Sequence, residues 1–191
     1  MNRTLVMLLT FVLLSVVALA QPSPPSVPTA CNVGSLPEGI QNRLKEEIGA
    51  WGIQQPENLS EDAHIRWKSE KPIECPGIAI GQFRSGRAPS YAILLVSHAK
   101  EKGGYELIAF TPGRQRSSYE LTVLDRSADG EASNLFIHRE LLNKFFDERS
   151  RRKFEVEADD AILFADAGQK EYETDLYFWG KGGFQHQPVD Y

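Results

Sequence analysis

Catalytic signatures are what this chain lacks. Its 191 residues hold no G-x-S-x-G elbow, no P-loop, no dinucleotide fingerprint, no H-E-x-x-H and no C-x-x-C. Each absence removes a familiar way of placing a nucleophile, a phosphate or a metal. Histidine is scarce and scattered: His64, His98, His138 and His186 read as surface or internally satisfied rings. With only Cys31 and Cys75, there are too few thiolates for a zinc cage. No residue pattern calls for a cofactor or a metal. After the first twenty residues no apolar run is long enough to span a bilayer. The formal net charge is −5, and this mild acidity argues against nucleic acid as the main partner.

What is present begins with an export signal. Arg3 supplies a positive start, and Leu5 to Val17 is an apolar stretch broken only by Thr10 and Ser15. Ala18-Leu19-Ala20 is a small-x-small cleavage site. Residues 1–20 therefore predict a secretory signal, too short to serve comfortably as an anchor. Residues 21–30 follow as a stiff leader, with Pro22, Pro24, Pro25 and Pro28. Residues 31–191 are long enough for one domain with a real core. The expected location is secreted or periplasmic. In that oxidising compartment Cys31 and Cys75 should pair, since no other intramolecular partner exists.

The period of apolar residues then changes along the chain. Ile40, Leu44, Ile48 and Trp51 recur at three or four residues and predict a helix opening near Ser35-Leu36-Pro37-Glu38. A second helix is expected from Ser60 to about Lys71, with Ile65 on its inner face and Pro72 as its stop. From Gly77 onward the reading is mostly strand. Tyr91 to Val96 is a near-continuous apolar run, as in a strand covered on both faces. Gly103-Gly104, Asp129-Gly130 and Gly180-Lys181-Gly182-Gly183 mark turns. Glu140 to Lys153 looks helical through Leu141, Leu142, Phe145 and Phe146. Helices gathered at the start and strands joined by short turns indicate α+β. The expected fold is N-terminal helices tied by a disulfide to one twisted, mainly antiparallel sheet.

Gly81-Gln82-Phe83-Arg84-Ser85-Gly86, followed by Tyr91-Ala92-Ile93-Leu94-Leu95, resembles one FG-GAP or VCBS-type unit of exported proteins. That family's G-D-F-[DN]-x-D-G loop holds calcium through carboxylates. Here the matching positions are Gln82, Arg84, Ser85 and Ser90, and Arg84 and Arg87 bring positive charge. The resemblance thus implies the turn and its apolar flanks, without the metal. One unit does not make a propeller. More loosely, the chain is similar to exported bacterial proteins of its size that share a Cys-Pro-Gly opening, the Y-A-x-L-L strand and an aromatic end like Tyr177-Phe178-Trp179. This implies a shared fold and bacterial export, and no activity.

Three groups are candidates for function. Arg149, Arg151, Arg152 and Lys153 form a basic run able to dock a protein or a cell-envelope polymer, although the acids Glu155 to Asp160 stand close enough to neutralise it. Tyr177 and Trp179 share a strand face and, with Phe184, could make a stacking platform, but Leu176 and Phe178 are apolar on the other face too, and core packing of a doubly covered strand accounts for all of them. Asp159, Asp160 and Asp166 could form a carboxylate pair for acid–base work or a cation site, although strand-edge solubility and turn chemistry around Ala167-Gly168 account for them more simply. The expected function is an exported, non-enzymatic binding or accessory protein. The alternatives are an exported hydrolase using Asp160 or Asp166 with a histidine, and a structural envelope component.

Overall fold

The computed structural model describes residues 31–47, 51–71, 74–86, 88–97, 103–115, 118–129, 131–168 and 173–189. The expected signal over 1–20, the leader over 21–30, His98 and Arg87 lie outside the described residues. The elements run α1 (Glu38–Glu47), β1 (Trp51–Ile53), α2 (Glu61–Glu70), β2 (Ile78–Gly81), β3 (Ser90–Ser97), β4 (Tyr105–Pro112), β5 (Tyr119–Ser127), β6 (Leu135–Leu141), α3 (Glu148–Lys153), β7 (Asp160–Asp166), β8 (Glu173–Gly180) and β9 (Gly183–Val189). The described chain is β-rich, and every strand pairing is antiparallel.

The strands form two sheets where one was expected. The first runs β1-β3-β4-β5, with β2 also paired to β3; the second runs β6-β7-β8-β9. They pack face to face. Ala92, Leu94 and Val96 of β3 meet Ile162, Phe164 and Tyr177 of β7 and β8 in a shared buried cluster. On the opposite face of β3, Tyr91, Ile93 and Leu95 pack with Ile40 and Leu44 of α1. This is the double coverage expected of a continuous apolar strand. The second sheet's outer face, with Phe136, Leu163 and Phe178, is covered by Ala63 and Trp67 of α2 and by Phe146. The order of layers is therefore helix, sheet, sheet, helix.

The disulfide expected from the cysteine count forms between Cys31 and Cys75. The two helices inside its loop part company: α1 lies on the first sheet and α2 on the second. A ten-residue helix is marginal alone. Ile40 and Leu44 are fully buried, and each contributes roughly 2 kcal/mol to docking α1.

Three local expectations are corrected. Trp51 is not on α1; Trp51–Ile53 pairs with Ser97, Val96 and Leu95, because the edge of β3 offers backbone partners there. Ile65 does not face inward but is 62 % exposed, while Ala63 and Trp67 are buried. The segment from Glu140 is not helical throughout. Arg139, Glu140 and Leu141 continue β6 against Ile162, Ala161 and Asp160. The helix starts only after Asp147, whose side chain accepts the Ser150 N–H at 2.7 Å.

The two flanks of the sandwich differ. On the β2–β6 flank the Ile137 N–H donates to Pro76 O at 2.8 Å. The buried Gln54 donates from Nε2 to Ala132 O at 2.7 Å and Leu135 O at 2.8 Å. A Cβ on Gly77 would collide with the Gln54 backbone, so this close approach requires glycine. On the other flank β8 and β9 join through Lys181 and Gly182, both at positive φ. That is the left-handed geometry of a two-residue hairpin. Counting from the closing pair Gly180–Gly183, Phe184, His186 and Pro188 turn their backbone groups outward. Proline has no N–H to offer there, which blunts the edge against stray pairing.

Candidate functional site

The basic run and the aromatic strand end, separate in sequence, meet at one end of the second sheet. The chain leaves α3 at Phe154 and runs beside the end of β8. Val156 bridges Gly180. The Glu157 N–H donates to Trp179 O at 3.1 Å, and the Lys181 N–H donates to Glu155 O at 3.3 Å. Trp179 Nε1 donates to a Glu157 carboxylate oxygen at 3.2 Å. Phe154 fixes this crossing by packing edge-on to Phe146 at 5.5 Å and to Phe178 at 5.8 Å between ring centroids.

The basic residues divide into held and exposed. Arg151 donates to Ala158 O at 3.0 Å and to Asp159 at 3.4 Å, so it fastens the turn that follows α3. Arg152 pairs with Glu148 at 3.6 Å, both side chains in solvent. Such a pair is weak. Lys153 lies over the Phe154 ring at 5.1 Å. Arg149, Arg152, Lys153 and Lys181 are exposed. Three cations in the last turn also suit the negative end of the helix. At the other terminus, hydrogen bonding from the Ser150 N–H holds the Asp147 carboxyl below its ordinary range.

Of the two aromatic candidates on β8, Trp179 and not Tyr177 reaches this surface. It is half-buried, with the Arg84 guanidinium over its ring at 4.6 Å and Phe184 edge-on at 5.2 Å. Arg84 also donates to Glu120 at 3.0 Å. One face of the indole is thus occupied by a cation from the β2–β3 loop. Tyr177 is 5 % exposed and lies between the sheets. Burial first, and then the charge of Asp125, push its hydroxyl pKa up. Tyr105 donates to the same Asp125 at 2.9 Å.

The acids have structural partners. Asp159 is exposed and pairs with Arg151. Asp160 is buried and accepts the Gln82 N–H at 2.8 Å. Asp166 accepts the Gly168 N–H at 2.8 Å, closing the turn after β7. The acid–imidazole contacts fall elsewhere. His186 Nε2 is 2.7 Å from Asp175 on the outer hairpin, partly in solvent. His138 is fully buried, 3.7 Å from Glu140 and 3.9 Å from Glu70. Desolvation lowers the His138 pKa to about 4, against the opposing pull of Glu140. Burial alone would raise the Glu140 carboxyl, but hydrogen bonds from Lys144 and Lys71 hold it below its usual range. Among the described residues, no group of three His, Cys, Asp or Glu side chains could hold a metal ion.

Sequence reasoning passed over Arg84, Glu157 and Lys181 as parts of this surface. Arg84 carried a signal, since it stands where the resembling loop places an acid. Glu157 carried none beyond its place in an acidic run. Among the described residues, no helix is long and apolar enough to cross a membrane. No protein-family model, no curated protein and no solved structure matches this chain.

Proposed function

We propose that the protein is an exported, non-enzymatic binding or accessory protein that engages a protein or a cell-envelope polymer. The contact surface is the end of α3 together with the Trp179 end of β8 and β9. One observation carries the reading: the Glu155–Glu157 segment hydrogen-bonds along Trp179–Lys181, so candidate residues some thirty positions apart share one surface. Export rests on the pattern of residues 1–20 and on a disulfide that suits an oxidising compartment. The mixture of exposed cations with a half-buried Trp suits a partner that offers carboxylates beside apolar or ring surface.

The test is capture from a cell-envelope extract by the immobilised mature protein. Wild type retains a defined component. The triple variant Arg149→Gln, Arg152→Gln, Lys153→Gln loses it while remaining folded at the assay temperature. Arg151 is left intact because it holds Ala158. Equal capture by the two proteins contradicts the reading.

A further inference from the structure

The start of α2 carries an open pocket of about 450 Å3, lined by Pro56, Glu57, Leu59, Glu61, His64 and Ile65. This volume lies in the range of small-ligand sites. Its frame is fixed. Ser60 caps α2, donates from Oγ to Asn134 at 2.6 Å, and donates its backbone N–H to Ser133 O at 2.8 Å. The corner is thereby pinned to the turn before β6.

The polar groups of the lining point to one kind of ligand. Among the described residues, neither Glu57 nor Glu61 has an ion-pair partner, and both are exposed. His64 Nδ1 lies 3.2 Å from Pro56 O. A carbonyl only accepts, so Nδ1 carries the hydrogen, and Nε2 of the neutral ring is an acceptor. The ring is set edge-on against Trp67 at 5.5 Å. The lining therefore presents two carboxylates, one imidazole whose Nδ1 is turned to Pro56 O, no lysine or arginine, and three apolar side chains. Ile65 stands exposed beside it, on a helix whose other large apolar side chain, Trp67, is buried. The positive end of α2 opposes a cation with about half a charge, which two full carboxylates outweigh.

We propose that this pocket binds the side chain of a lysine or arginine on a protein partner, with the charge between Glu57 and Glu61 and the aliphatic stem along Leu59 and Ile65. The site is independent of the surface at α3 and β8.

The experiment is a nuclear magnetic resonance titration of the mature chain with the capped tripeptides Ac-Ala-Lys-Ala-NH2, Ac-Ala-Arg-Ala-NH2 and Ac-Ala-Glu-Ala-NH2. The two basic peptides are expected to shift the His64 and Ile65 signals saturably, and added salt weakens them. The acidic peptide leaves those signals unmoved. Glu57→Gln with Glu61→Gln weakens the basic peptides about fivefold, the loss of two exposed ion pairs. Ile65→Ser, also at an exposed position, weakens them by a separate route. No shift from the basic peptides, an equal shift from the acidic one, or unchanged binding in both variants overturns the proposal.

Discussion

Asp160, on β7 of the second sheet, accepts the backbone N–H of Gln82 at the end of β2 in the first, at 2.8 Å. The carboxylate is buried, with Arg139 at 3.9 Å. It therefore ties the G-x-F turn to the opposite sheet. Asp160→Ala should cost about 2 kcal/mol, the worth of a hydrogen bond to a charged acceptor. Asp160→Asn keeps an acceptor and should cost about half of that. Urea unfolding of the two variants measures both; a loss within error for Asp160→Ala removes the tie from the account.

Gln54 closes the sandwich on the β2–β6 flank through two hydrogen bonds from one buried nitrogen. Gln54→Ala leaves the carbonyls of Ala132 and Leu135 without that donor, and should destabilise by about 2–4 kcal/mol. Gln54→Glu should be worse, because a carboxylate would face two acceptors in a dry site. Chemical denaturation at neutral pH reads both values.

Stability should fall on acidification. The folded-state pKa of His138 is lowered to about 4 from an ordinary 6.5, so the unfolded chain takes up this proton first. The stabilisation is complete above pH 6.5 and is lost as the pH falls from there to about 4. It amounts to roughly 3 kcal/mol at 1.36 kcal/mol per unit. Glu140, held low by its lysines, acts in the same sense as the pH drops below its ordinary 4.5. His138→Phe removes the first part of the slope. Unfolding midpoints from pH 7 to pH 4 test this, and a His138→Phe profile that still follows wild type contradicts it.

The fold was legible where a local pattern decides the outcome. Tyr91 to Val96 announced a strand covered twice, and α1 and Ile93 are indeed on one side with Phe164 on the other. Lys181-Gly182 announced its hairpin, since few sequences take that backbone. The second sheet was hidden because strand periodicity is local: nothing in Leu135 to Ile137 says which strands lie beneath it. A short strand at Leu135 to Ile137 was legible, but its continuation to Leu141 was hidden for a related reason. Leu141, Leu142, Phe145 and Phe146 repeat as a helix would, yet the buried Glu140 is held by Lys71, at the end of α2 and far off in sequence, as well as by Lys144 four residues on. In the candidate site the cations and Trp179 were each visible. Their meeting depends on the backbone bonds of Glu155 and Glu157 to β8, which no side-chain pattern encodes.

The link from Cys31 to Cys75 closes 44 residues that contain α1, β1 and α2. On the chain-entropy model its removal costs about 4 kcal/mol. Cys31→Ser with Cys75→Ser, compared with wild type by thermal unfolding with and without reductant, should show this loss, and reductant should bring wild type down to the variant. Because α1 depends on the link and on its own few buried residues, amide exchange should accelerate there before it does in β7.

Site-specific photocrosslinking within the cell envelope tests the shared surface most directly. The photoreactive residue is placed once at Arg152 on α3 and once at Lys181 on the hairpin, both exposed. A single common product from the two positions is the predicted result. No product from either, or unrelated products from each, would show that the two ends do not act together.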